Sequence, residues 1–236
     1  MLASLHKAVT AASNPTKAQF LMRFFKTGEG QYAEGDIFAG LTVPQSRAIA
    51  VQYRDLSLAD VSTLLTSPIH EERLIALLIL VARMDTANDT EQKKIVDCYL
   101  AHTKYINNWD LVDLSADKIL GLYLLNRDRF LLYKLARSSD LWEKRIAIIS
   151  TFKFIKEQKE CTDTFAIADI LLQDQHDLIQ KAVGWMLREV GKRVSEKVLQ
   201  DFLVTRYQKM PRTMLRYAIE RFPETVRKQY LRGTIT

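Results

Sequence analysis

This chain is predicted to be all-α, an α-solenoid of HEAT-like helical repeats, and three observations predict it. Apolar residues recur at helical spacing through nearly every segment, and no segment alternates convincingly as a strand would. Asn14-Pro15, Ser67-Pro68 and Asn107-Asn108 each offer a capping side chain at a helix start, the first two with proline at the first helical position. Finally, the segments HEERLIALLIL, NNWDLVDLSAD, LWEKRIAIIST and LIQKAVGWMLR align on Arg73, Trp109, Arg145 and Lys181, each 36 residues after the last, and PRTMLRYAIER follows with Arg216 after a step of 35. Stacked helix pairs that touch only their neighbours are the repeat architecture such a period implies. The consensus residues of TPR repeats are not evident, so a HEAT-like array is expected, one domain over residues 1–236.

The elements follow in order. PTKAQFLMRFFK opens behind the Asn14 cap. TGEGQYAEGDIFAG, residues 27–40, holds four of the eight glycines; its spacing fits neither a dinucleotide fingerprint nor a P-loop and no strand precedes it, so it reads as a long loop. The aligned helices come next, and between them LADVSTLLTS, TEQKKIVDCYLAH, RFLLYKLARS, TFAIADILLQD and EKVLQDFLVTRY supply the second helix of each pair.

The net charge of +6 is unevenly distributed. From Lys181 onward there are 13 Lys and Arg against 5 Asp and Glu, which leaves the preceding residues at −2. A basic final quarter suits a polyanion such as nucleic acid and argues against a protein-binding scaffold. No apolar run approaches the roughly 20 residues that cross a bilayer, and the opening Met-Leu-Ala-Ser-Leu-His-Lys lacks the regions of a signal peptide; a cytoplasmic protein without membrane partners is expected. Cys98 and Cys161 lie far apart in helix-like segments and read as thiols, and His6, His70, His102 and His176 never share ligand spacing, so no metal or cofactor is expected.

Trp109 and Asp113 stand four apart and project from one helix face. Four residues after each aligned position come Leu77, Asp113, Ile149 and Trp185, which puts Asp113 and Trp185 in equivalent places two repeats apart. If these are the inner helices, the two columns line a concave groove edged by Arg and Lys, with two indoles and a carboxylate at its floor. Asp110, third in a helix capped by Asn107, reads as a capping acid at the positive end of the helix dipole. Asp113 lies beyond the first turn, so capping does not explain it. Lys181 and Arg188, seven apart on one face, could supply phosphate contacts, which confer salt-dependent affinity without reading sequence; Arg145 is a further phosphate candidate. No Ser-His-Asp or Cys-His grouping is supported by spacing.

YINNWDLVD, KRIAI and QKAVGWMLRE, with PTKAQFLMRFFK near the start and GLTVPQSR after the glycine loop, resemble the bacterial DNA alkylation repair glycosylases of the AlkD type. The resemblance extends over essentially the whole chain, and Trp-Asp-x-x-x-Asp followed by Gly-Trp-x-x-Arg-Glu is its more specific part. It implies a concave DNA-binding groove and hydrolysis of the N-glycosidic bond of N3- and N7-alkylated purines in duplex DNA, without a base flipped into a pocket; a groove that must admit a duplex favours a monomer. It further implies Asp113 as the catalytic aspartate, Trp109 and Trp185 as contacts to the deoxyribose, and Arg145 as a residue near the DNA backbone. Arg47, which closes GLTVPQSR, and Phe24 are DNA-binding candidates in the same motifs; Phe24 stands where the family has a tyrosine, so the hydroxyl is lost and the ring kept. A non-catalytic repeat protein that binds DNA of unusual structure is the alternative.

Overall fold

The computed structural model describes residues 1–235, all of it helix, turn and loop apart from one isolated bridge between Ile37 and Ile69. The chain divides into two compact units, Met1–Ile119 and Leu120–Thr236.

In the first unit the helices are α1 (Leu2–Ala11), α2 (Pro15–Phe24), α3 (Val43–Gln52), α4 (Leu58–Leu65), α5 (His70–Met84), α6 (Asp89–Ala101) and α7 (Trp109–Ala116). The Asn14-Pro15 start is as expected, and two further starts carry capping boxes. Asn14 accepts from the Lys17 N–H at 3.0 Å with Pro15 at the first position, Thr42 and Gln45 form a reciprocal capping box, and Asn88 and Glu91 form another. The start at Ser67-Pro68 is displaced. Ile37 N–H donates to the Pro68 carbonyl and His70 N–H to the Ile37 carbonyl, which holds Ile69 extended, and α5 begins at His70 with no side-chain cap. From His70 through Leu80 every residue of α5 is buried, which makes it the central helix of the unit. It packs against α3, α4, α6 and α7.

The second unit holds α8 (Phe130–Ala136), α9 (Leu141–Ser150), α10 (Phe152–Glu157), α11 (Thr162–Ile170), α12 (Asp177–Arg193), α13 (Glu196–Val204), α14 (Arg212–Ala218) and α15 (Glu224–Arg232). Here α12 packs between α9 and α14, with α13 beside it, while α8 and α11 cover α9. This is the paired-helix layering of a helical repeat. Gly184 lets α12 and α14 approach closely, since a Cβ there would lie 2.5 Å from both the Met214 carbonyl oxygen and the Tyr217 Cβ.

The repeat register is kept in part. Arg145, Lys181 and Arg216 are each the fifth residue of their helix, Arg73 is the fourth, and Trp109 is the first. Equal spacing in sequence is therefore not equal depth along the helix, because the short turn before α7 delays its start.

Candidate functional site

The loop from Thr27 to Gly40 connects helices, as expected, and its far end is anchored to the start of α5. Gly40 adopts φ +87°, and a Cβ on it would sit 2.1 Å from the Asn14 carbonyl oxygen, so only glycine fits this crossing. Beside it, the buried Glu71 carboxylate accepts three successive backbone N–H groups, from Ala39 (2.8 Å), Gly40 (2.8 Å) and Leu41 (3.1 Å). Three amides directed at one anion form a concavity that satisfies a buried charge without a cation.

That anchoring brings Asp36 into the interior. Its Oδ2 accepts from Arg73 Nη2 at 2.6 Å and faces His70 Nδ1 at 3.4 Å; its Oδ1 accepts from Asn107 Nδ2 at 3.0 Å. Arg73 also donates to Asn107 Oδ1 and to the Ser67 carbonyl. His70 Nε2 lies 2.9 Å from Asp110 Oδ2. Burial works to raise the Asp36 carboxyl, but hydrogen bonds from His70 and Asn107 and the Arg73 charge outweigh it and hold it below its usual value. Burial likewise works to lower His70, and here the Asp110 carboxylate and the Asp36 hydrogen bond prevail and raise it.

Three expectations are corrected by this cluster. The cap of α7 is Asn108, whose side chain accepts from the Trp109 N–H at 2.8 Å, not Asn107. Asp110 is accordingly the second helical residue, and its buried carboxylate is engaged by His70 rather than acting as a cap. Arg73 is also no groove-edge cation, being buried against Asp36.

Trp109 and Asp113 are both partly buried and share one face of α7, one turn apart. The indole stacks on Phe25 at 5.1 Å between centroids and 25° between planes, and meets the edge of Phe24 at 5.9 Å. Phe24 in turn stacks on Phe20 at 6.2 Å, and these two rings are 52% and 64% exposed. The indole thus lies in the middle of an aromatic row that runs from the buried Phe25, packed on Phe38, out through Phe24 and Phe20 to the surface. Arg47 is exposed on α3. Behind Asp113, burial pushes the Tyr99 phenol up, the carboxylates of Asp117 and Asp113 adding to the effect.

In the second unit Trp185 is partly buried on α12, its ring 6.3 Å from that of Phe152. Lys181 pairs with Asp177 at 2.6 Å and Arg188 with Glu220, so both cations are already engaged at the surface. Arg145 departs from the exposed position expected of a phosphate contact. It is 5% exposed, and its Nη1 donates to the Leu178 carbonyl at 2.6 Å, tying α9 to the first turn of α12.

Over residues 5–222 the sequence matches the family described as DNA alkylation repair enzyme. The chain belongs to that family. A solved structure, "Predicted DNA alkylation repair enzyme from Enterococcus faecalis", is similar with a TM-score of 0.70 and 17% identity, covering 90% of this chain and 97% of that one. No curated protein matches the chain. Membership of the DNA alkylation repair enzyme family gives the chain a role in the repair of alkylation damage, and α2, α5, α7, α9 and α12 all lie within the matched residues. Among the described residues no group of three or more His, Cys, Asp or Glu could hold a metal ion, and no helix is long and apolar enough to cross a membrane. Cys98 and Cys161 are free thiols.

Sequence reasoning missed His70, Asp36 and Asn107 as a unit. A signal existed in HEER, four polar residues opening a helix that is otherwise apolar on every side. Such a helix is central, and its charged end must find buried partners.

Proposed function

We propose that this protein is a monofunctional DNA glycosylase that hydrolyses the N-glycosidic bond of cationic N3- and N7-alkylpurines in duplex DNA. The observation that carries the reading is the division of labour between the two acids of the α7 motif. Asp110 is buried and committed to His70, whereas Asp113, partly exposed, shares a face with the Trp109 indole.

The chemistry needs that arrangement. An N3- or N7-alkylpurine carries a positive charge, so when the C1′–N bond breaks its electron pair neutralises the departing base and no general acid is required. The sugar is left with the developing charge. A carboxylate beside it lowers the barrier electrostatically and can orient the water whose oxygen bonds to C1′, the surplus proton leaving to solvent. The products are the free base and a deoxyribose bearing a hydroxyl at C1′. An indole face adds about 0.5 to 2 kcal/mol of cation–π attraction at such a centre.

The exposed ring of Phe24 suits contact with DNA at the surface rather than a closed pocket for a flipped base. Trp185 is proposed as a second sugar contact, and Lys181, Arg188 and Arg47 as phosphate contacts. Exchanging a surface carboxylate for a phosphate costs Lys181 and Arg188 little, since exposed ion pairs contribute only about 0 to 1 kcal/mol. Arg145 contributes by holding α12. The whole chain is read as one repeat array acting as a monomer in the cytoplasm.

The test is release of free N7-methylguanine from a duplex, followed chromatographically. The native chain should release the base and leave an uncleaved strand with an abasic site. Tight binding without release would instead support a DNA-binding protein that performs no hydrolysis.

A further inference from the structure

We infer that His70 is a buried imidazolium and a positioning residue, holding the first turn of α7 so that Trp109 and Asp113 are presented together. The inference deepens the glycosylase reading and rests on it for the reaction, though not for the ionisation.

Both ring nitrogens of His70 face carboxylate oxygens, Nε2 towards Asp110 at 2.9 Å and Nδ1 towards Asp36 at 3.4 Å, and the side chain is 2% exposed. A neutral imidazole has one N–H and one lone pair, so one carboxylate would confront a lone pair in a dry site. An imidazolium donates to both. The charges then balance, Asp36 and Asp110 against Arg73 and His70, where a neutral histidine would leave an uncompensated buried negative charge. The other acids of the run are met elsewhere, Glu71 by the amides of Ala39 to Leu41 and Glu72 by His6 of α1 and the Ser67 hydroxyl.

The groups packed around the ring come from each neighbouring element. The loop supplies Asp36 and the Phe38 ring, stacked on the imidazole at 4.4 Å and 20°. Phe25, following α2, lies at 5.2 Å, and aromatic faces favour a cation over a neutral ring. Arg73 of α5 opposes the charge but is neutralised by Asp36. Asn107 and Asp110 flank the start of α7.

Two routes run from this ring to the proposed site. Asp110 is the residue after Trp109, and its second oxygen, Oδ1, is buried with no hydrogen-bond partner among the described residues, so this carboxylate depends on His70. Phe25 packs on His70 and on Trp109 alike. Loss of the proton would leave Asp110 or Asp36 facing a lone pair and loosen the turn that carries Trp109. The raised His70 value places that loss above the ordinary histidine range of about 6.5. Stability from the cluster is complete below that range and disappears as pH rises through the raised value.

The experiment pairs two measurements on the full chain. Histidine ring-proton NMR across pH, with His70 assigned by its absence in His70→Asn, should show His70 titrating above the ordinary value of about 6.5. Single-turnover release of N7-methylguanine, corrected for spontaneous loss, should fall on the alkaline side with the same midpoint. In His70→Gln the rate should drop about 10- to 100-fold, as expected for a misplaced reacting group, and the alkaline fall should vanish while DNA affinity stays within about threefold. A His70 that titrates at or below the ordinary value, or a native rate unchanged through its titration, overturns the inference. If the native chain releases no base at any pH, the glycosylase reading fails by itself. The NMR midpoint and a matching pH-dependent change in Trp109 fluorescence, identified by Trp109→Phe, then still decide whether His70 is charged and coupled to α7. Should His70→Gln fail to fold, the two native pH profiles decide alone.

Discussion

Replacing Glu71 by alanine should be among the most damaging changes available in the first unit, because one carboxylate there satisfies three backbone donors 30 to 32 residues away in sequence. The Gly40 and Leu41 amides are buried and that of Ala39 partly so, at 2.8, 3.1 and 2.8 Å from the carboxylate oxygens. An orphaned buried donor costs about 1 to 3 kcal/mol, so the two fully buried ones alone imply about 2 to 6 kcal/mol. Water can reach the Ala39 amide, which therefore adds little, and the expectation stays at about 2 to 6 kcal/mol, a large share of the roughly 5 to 15 kcal/mol that stabilises a typical domain. Glu71→Gln keeps one accepting oxygen but turns an amide NH₂ towards N–H donors, and should lose about half as much. Urea denaturation followed by circular dichroism reads the effect as a lower midpoint at constant slope. A loss below about 1 kcal/mol in Glu71→Ala would mean that the amides find other partners easily, and the idea that this carboxylate anchors the loop would fall.

Other expectations concern the second unit. Gly184→Ala should lower the thermal midpoint, since a methyl group 2.5 Å from the Met214 carbonyl oxygen must push α12 and α14 apart; overpacking costs about 1 to 3 kcal/mol, against a gain of about 1 kcal/mol in helix propensity. An unchanged or higher midpoint in differential scanning calorimetry would refute the close approach. Lys181→Ala and Arg145→Ala should behave differently in DNA titrations at several salt concentrations. The first should reduce the salt slope by about one contact with little change in stability. The second should mainly destabilise, because it removes the donor to Leu178, and leave the slope intact. A flattened slope for Arg145→Ala would return that residue to the DNA.

How much could be read from sequence depended on whether the cause was local. Asn14-Pro15 and the loop over 27–40 were legible because capping and glycine content act within a few residues. The Ser67-Pro68 start was misplaced because the Ile37–Ile69 bridge, a pairing across more than thirty residues, keeps the chain extended up to His70. The role of Asp110 was misassigned for a related reason. Its position one turn from two asparagines predicts a cap, but its partner lies forty residues earlier, and only the packing of α5 against α7 brings them together. The 36-residue period correctly placed a helix at each aligned residue and overstated what it said about exposure, since Arg73 and Arg145 occupy buried positions while Lys181 does not. Trp109 and Asp113 on one face followed from helical geometry and needed nothing long-range.

Single-turnover release of N7-methylguanine by the native chain and by Asp113→Asn, at saturating protein and with affinity measured alongside, bears most directly on the proposed reaction. Asparagine preserves shape and removes the charge, so the rate constant should fall about 10²- to 10³-fold, the scale for loss of one preorganised electrostatic contact to a transition state. Affinity for the same duplex should change by less than about threefold, consistent with phosphate contacts rather than Asp113 holding the DNA. Equal rates for the two proteins would show that the carboxylate on α7 is not the group that stabilises the sugar cation.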